Sequence, residues 1–148
     1  MRLQIFLADA AQADQTGKVS ALGLGWRNCG SPVPAFAVVL LIEIDWDETN
    51  TRHRLVCELL TQDGEPVTVE GPLGQQLIRF EADAEAGRPP GATHGEPQRV
   101  PLVFAFPPGL PLQPDRYQWR ASVAGFDQAT VAESFIVQPP PARVAQQP

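Results

Sequence analysis

The stretch Leu112-Gln113-Pro114-Asp115-Arg116-Tyr117-Gln118-Trp119-Arg120-Ala121-Ser122-Val123 decides how the chain is read. Tyr117, Trp119, Ala121 and Val123 fall on every second position, with Arg116, Gln118, Arg120 and Ser122 between them. A period of two belongs to a strand with one face in a core and one in water. Pro114-Asp115 supplies the turn that delivers the chain into it.

The same period recurs outward from there. Towards the C-terminus, a strand over 130–137 carries Phe135 and Val137. Before the stretch, 98–106 places Val100, Leu102, Phe104 and Phe106 together, and Pro101 marks an edge strand because it has no N–H to donate. The 75–83 strand buries Ile78 and Phe80, and 53–61 aligns Leu55, Cys57 and Leu59. Between these two, Gln62-Asp63-Gly64-Glu65 is a hairpin turn leading into a short strand at 66–70. The most apolar strand is 34–46. Phe36, Val38, Leu40, Ile42, Ile44 and Trp46 share one face, and Ala37, Val39 and Leu41 make the other apolar too. Such a strand is central and covered on both sides, or its outer face meets a partner. The first strand, 2–9, places Leu3, Ile5 and Leu7 on one face, and a second, 18–27, places Leu22, Leu24 and Trp26 on one face. Gly23 and Gly25 suggest a bulge there, and Ala10–Gln15 is expected to hold a short helical turn.

Eight or nine short strands separated by turn signals predict an all-β, antiparallel sandwich, immunoglobulin-like or C2-like, over residues 1–137. Leu112 to Trp119 resembles the tyrosine corner of immunoglobulin-like sandwiches, in which the Tyr hydroxyl bonds back to the upstream backbone. Trp119 stands two residues after the Tyr, where an antibody domain has its second Cys, so it is expected to fill the space of the missing disulfide. Residues 138–148 form a Pro-rich tail that cannot join a sheet and are expected to be an extended arm.

Composition narrows the function. Of 148 residues 43% are hydrophobic, enough for a core. The net charge is −6, which argues against nucleic acid, whose phosphates need a basic stripe. Twelve of the 16 prolines fall at or after Pro89, and a mostly helical protein is excluded. The N-terminal apolar run is broken by Gln4 and stopped by Asp9, unlike a signal peptide, and Ala35 to Ile42 is too short to span a bilayer. A cytoplasmic protein, or one carried in a virion if the gene is a phage's, is expected, with no membrane partner.

Leu7-Ala8-Asp9-Ala10, Leu22 to Trp26, Asp45 to Asn50, Gly87 to Pro90 and Leu112 to Trp119 with Phe135-Ile136-Val137 together resemble a family of small proteins of actinobacteria and their phages, a domain of unknown function. The resemblance covers nearly the whole chain. It implies a β fold and a phage-borne or host role, and it assigns no catalytic residues.

Chemistry is sparse. There are two histidines, four serines, and no Gly-x-Ser-x-Gly elbow. His53 and Cys57 lie four apart on one strand, too far to meet at about 3.3 Å per residue. Cys57 reads as a core residue, and Cys29 in its turn has only Arg27 nearby to activate it. Neither cysteine pairs with a histidine at zinc spacing. The expectation is therefore no enzyme, no cofactor and no metal. Asp45, Asp47 and Asn50 are the weak exception, a loop whose oxygens suit Ca²⁺ only if a second acidic loop converges on it. Contact surfaces are expected at the outer face of the 34–46 strand (Val39, Leu41), in the long loop 84–97 (Arg88, Pro89, Pro90, His94) and on the arm (Pro139, Pro140, Pro141). Trp46, beside the acidic loop, belongs to the inward face by parity. The leading expectation is a β-sandwich that works by contact with protein partners, through self-association or in a larger assembly, and in its most concrete form an accessory decoration or attachment subunit of a phage particle. The alternative is a soluble small-ligand or Ca²⁺-binding module using the 45–50 and 84–97 loops.

Overall fold

A computed structural model describes residues 1–143. The chain forms β1 (Arg2–Ala8), β2 (Ala10–Ala13), β3 (Val19–Leu22), β4 (Asn28–Cys29), β5 (Phe36–Ile44), a single 3-10 turn (Trp46–Glu48), β6 (His53–Thr61), β7 (Thr68–Gly71), β8 (Gly74–Leu77), β9 (Arg79–Ala84), β10 (Gln98–Phe106), β11 (Asp115–Val123) and β12 (Phe126–Val137). It is all-β, with no α-helix among the described residues.

Two main sheets carry the fold. One has the order β1-β5-β10, the other β4-β12-β11-β6-β9. All their pairings are antiparallel except that of β4 with β12, where Ile136 faces Asn28 and Val137 faces Cys29. The inward residues of both sheets share one core, the layering of a β-sandwich. Trp119 sits at its centre, fully buried, with Phe36, Phe80 and Phe106 around its ring at centroid distances of 6.3, 5.9 and 5.2 Å. Burying so large a ring is worth several times a buried methyl group, because the stabilisation scales with apolar area. The Tyr117 hydroxyl donates to the Gln113 carbonyl at 2.7 Å and ties the Pro-rich turn to the start of β11. Pro101 lies on an edge, since β10 pairs with β5 alone.

The N-terminal third departs from the expected pattern. Ala10–Ala13 is not a helical turn but β2, and it forms a hairpin with β3. The expected long strand over 18–27 stops at Leu22. Gly23 and Gly25 have φ of +62° and +87° and bend the chain away from the sheet. Leu22 and Leu24 therefore do not face the core and are exposed. Trp26 alone packs inward, edge-on to Phe36 at 5.7 Å and Phe135 at 5.6 Å.

Register fixes which loops share an end. β5 and β6 are joined through the 3-10 turn, so Ile44 and His53 lie at one end. Arg2 pairs with Glu43 and Ala84 with His53, which brings the start of β1 and the end of β9 there too. At the opposite end lie Ala8, Phe36, Thr61, Phe106, Asp115 and Val137.

Candidate functional site

At the first end, the 45–50 loop and the long loop after β9 form one surface, and Arg88 is the link. Its Nε donates to Thr49 Oγ1 at 2.8 Å and its NH2 to the Trp46 carbonyl at 2.7 Å. The guanidinium carbon lies 4.2 Å from the centre of the Trp46 ring, and the His94 ring approaches that indole at 5.0 Å. A cation over an indole face is attracted by the ring quadrupole. Trp46 is thus only half-buried, in the 3-10 turn rather than on the inward face of β5. Asn50, at φ +59°, donates its backbone N–H to the Ala86 carbonyl at 2.7 Å and closes the loop pair. Pro89, Pro90 and His94 are exposed.

The acidic residues of this end do not converge. Asp45 accepts from the Met1 ammonium at 2.5 Å, and Asp47 and Asn50 point to solvent. Among the described residues no three His, Cys, Asp or Glu side chains gather at metal-binding distance. The Arg88 guanidinium beside the same loop repels a cation there. His53 lies beneath, buried, with Nε2 2.8 Å from the Glu48 carbonyl and its ring edge-on to Phe126.

The thiols are quiet. Burial pushes the Cys57 pKa up to about 12, with Glu58 adding to it, and burial also raises that of Cys29. A thiolate, the reactive form, is suppressed at both.

The outer face of β5 needs a correction. Val39 is only 3% exposed and Leu41 is half-buried. The β2–β3 hairpin lies across β5 and β10 and covers this end of the face. Val39 is thus used within the chain. Beyond the hairpin, Glu43 sits between Arg2 and Arg99, which hold its carboxyl below the ordinary range.

The opposite end holds an exposure that the sequence reading did not expect. Four large apolar side chains stand in water, and all sit on the two hairpins or their joints. They are Leu22 (72% exposed) and Leu24 after β3, and Leu73 (93%) and Leu77 at the tip and far strand of β7–β8. One signal was present: Leu73 occupies the turn Gly71-Pro72-Leu73-Gly74, where a polar residue is usual. Between the hairpin strands, Ala10, Ala11, Gln12, Ser20, Ala21 and Leu22 line a shallow, mostly apolar hollow of about 310 Å³. The arm starts at this same end. Gln138 donates its N–H to the Cys29 carbonyl at 2.9 Å and accepts from the Ser31 hydroxyl at 3.0 Å. Pro139, Pro140 and Pro141 follow, exposed and outside any strand. The rest of the expected arm, 144–148, lies outside the described residues.

Residues 3–131 match DUF6941, a family of unknown function. The chain belongs to the DUF6941 family. The DUF6941 match takes in both hairpins, the Arg88 loop and the strands from β1 into β12, and it stops before Gln138. The search of curated proteins finds no match to the chain.

Proposed function

We propose that the protein is a non-enzymatic β-sandwich that works by protein–protein contact, and that the contact is made by the hairpin end. The observation that carries this is the placing of Leu22, Leu24, Leu73 and Leu77 in solvent on two hairpins outside the shared core. An exposed leucine forgoes about 1.5–3 kcal/mol that burial supplies. Nothing in the core requires these four to be leucine, and large apolar side chains left in water mark a surface that meets a partner.

The sandwich reads as immunoglobulin-like. The Tyr117 corner, the parallel β4–β12 pairing and the β1-β5-β10 and β4-β12-β11-β6-β9 orders support that reading. Such folds host many functions, so the surface and not the fold argues for contact.

Affinity capture from the source cells tests the reading. Wild type and a Leu22→Ser, Leu24→Ser, Leu73→Ser, Leu77→Ser variant are compared by quantitative mass spectrometry. A protein retained by wild type and lost by the folded variant is the expected result, and identical captures overturn it. In the most concrete form, the protein is an accessory subunit of a phage particle. This form rests on the family resemblance and the Pro-rich arm, and absence of the chain from purified particles removes it.

One observation favours a second reading, a small-ligand module. Arg88 joins the 45–50 and 84–97 loops into a single surface. Calorimetric titration with Ca²⁺ decides its metal form: a heat lost on Asp47→Ala would support it.

A further inference from the structure

The outer strand of a sheet presents a row of unpaired N–H and C=O groups to any further strand. In the two main sheets the outer strands are β1, β10, β9 and, beyond the two residues of β4, β12. Three of these edges are guarded. β9 carries the exposed charges of Arg79, Glu81 and Asp83. β10 carries Pro101, which has no N–H to give. On β1 the Leu7 carbonyl is taken by the Gly25 N–H at 2.6 Å, and Leu3 and Ile5, whose backbone groups point the same way, are buried.

The edge of β12 is open. The strand is 12 residues long, and β4 covers only Ile136 and Val137. The Ile136 N–H bonds the Arg27 carbonyl at 2.8 Å, so the alternate residues Ser134, Ala132 and Thr130 turn their backbone groups to that same side. Their pairing with β11 is regular, and among the described residues none of the three has a backbone partner on the β4 side. All three are exposed, small and uncharged. Glu133, the one charge between them, falls on the other face by alternation and is ion-paired with Arg27 at 3.3 Å. The stretch has definite ends. β4 stops it before Ile136, and beyond Thr130 the register shifts, so that Asp127, Gln128 and Ala129 have no opposite residue on β11.

We propose that this edge takes the same edge of a second copy, β12 against β12, antiparallel, with Ala132 of each copy on the two-fold axis. The proposal goes beyond the reading of the hairpin leucines and uses none of them. Two identical strands paired antiparallel are related by a two-fold axis whatever the rest of the fold does, so the geometry needs only β12 itself. The open groups are symmetric about Ala132. In that register Ala132 faces Ala132 and Thr130 faces Ser134, and each pair exchanges both backbone bonds. Glu133 falls opposite Val131 and not opposite its own copy, so no like charges meet. The ends match as well. Where β4 closes the edge of one copy, the other copy has reached Ala129 and leaves regular pairing. That brings Asp127, exposed on one copy, towards the hollow of about 450 Å³ edged by Arg27 and Arg116 on the other. A shared edge of this length is small, so the pairing is reversible and concentration-dependent.

Sedimentation velocity of the full chain over a concentration series tests it, together with oxidative cross-linking in a Cys29→Ser background. A monomer–dimer equilibrium is expected. Ala132→Lys sets two ammonium groups against each other across the axis, and Ala132→Pro removes an N–H that is unpaired in the single copy. Each should weaken dimerisation at least about tenfold. The side chain is exposed and its N–H bonds nothing within the chain, so both variants should keep the wild-type circular dichroism. Register is read by disulfides, because opposite residues of such a pair have Cα atoms about 5.5 Å apart, within bonding range. Ala132→Cys should link to itself. Thr130→Cys should not, but should link to Ser134→Cys when the two variants are mixed. A monomer at every concentration, a dimer indifferent to Ala132→Lys and Ala132→Pro, or an Ala132→Cys chain that stays unlinked overturns the proposal. So does a dimer that needs the four hairpin leucines instead, or a wild-type monomer whose captured protein is lost on Ala132→Lys, which would make the strand at this edge a foreign one. A monomer that still loses a captured protein when the four leucines are changed removes only the self-pairing, and the contact reading stands.

Discussion

At the scale of single residues, Tyr117 and Cys57 show how the core is fastened. The Tyr117 hydroxyl bonds a carbonyl that the turn at Gln113 leaves outside any ladder. Tyr117→Phe keeps the ring and strands that carbonyl, so it should cost about 1 kcal/mol in urea denaturation, with an unchanged slope. Cys57 titrates in the opposite sense to a catalytic thiol. Its pKa rises from 9.0 unfolded to about 12 folded, so the native state keeps the proton longer than the unfolded chain. The stability it contributes is complete below pH 9 and is lost as pH climbs towards 12. Melting temperatures taken across that window should fall, and Cys57→Ala should flatten the slope even while lowering stability at pH 7. Both roles could be read from the sequence, because alternation puts Tyr117, Trp119 and Cys57 on inward faces and an inward side chain has few options. Leu22 and Leu24 show the limit. They obey the same alternation and face water, because parity fixes a face only while the chain stays extended, and Gly23 and Gly25 leave the extended region.

Among elements, the long loop after β9 depends on one side chain. It has no ladder of its own, and three contacts of Arg88 pin it to the 45–50 loop: hydrogen bonds to the Thr49 hydroxyl and the Trp46 carbonyl, and the stacked indole. Arg88→Ala should therefore cost about 1 kcal/mol globally, the size of an exposed cation–π pair and one net hydrogen bond. Its larger effect should be local. Hydrogen exchange of the Asn50, Ala92 and Glu96 amides, which bond within this surface, should quicken while β5 and β11 amides stay protected. An exchange pattern identical to wild type would show the loop is held by its prolines instead. The sequence singled out this loop by its length and named Arg88 and His94, but it could not say that they close on Trp46. Such a contact joins residues about forty apart, and only the register of β5, β6 and β9 brings them together. The β2–β3 hairpin was missed for a related reason. Ala10-Ala11-Gln12-Ala13 has too little apolar contrast to show a period of two, and its strand state comes from pairing with Val19–Leu22 and lying on β5 and β10.

For the whole molecule, the question is where the folded unit ends. Proline content suggests a boundary after Val137, since Pro139-Pro140-Pro141 cannot donate to a ladder. Hydrogen bonds move that boundary by one residue. Gln138 closes on the Cys29 carbonyl and on the Ser31 hydroxyl, and so anchors the segment between β4 and β5 to the last strand. The next residues, Pro139 to Arg143, are exposed and lie in no strand. Two truncations separate these readings. A chain ending at Pro139 keeps both Gln138 bonds and should melt within about 1 °C of the full chain, because Pro140 to Arg143 are exposed and lie in no strand. A chain ending at Val137 loses two hydrogen bonds and frees the Cys29 carbonyl, which at about 0.5–1.5 kcal/mol each should lower the melting temperature by several degrees. Equal melting of the two would place the boundary at Val137 and reduce Gln138 to the first residue of the arm. The same pair bears on function. The hairpin leucines lie before residue 137, so a chain ending at Pro139 should capture the same protein as the full chain does. Capture lost with the arm would move the contact surface from the hairpins to the prolines.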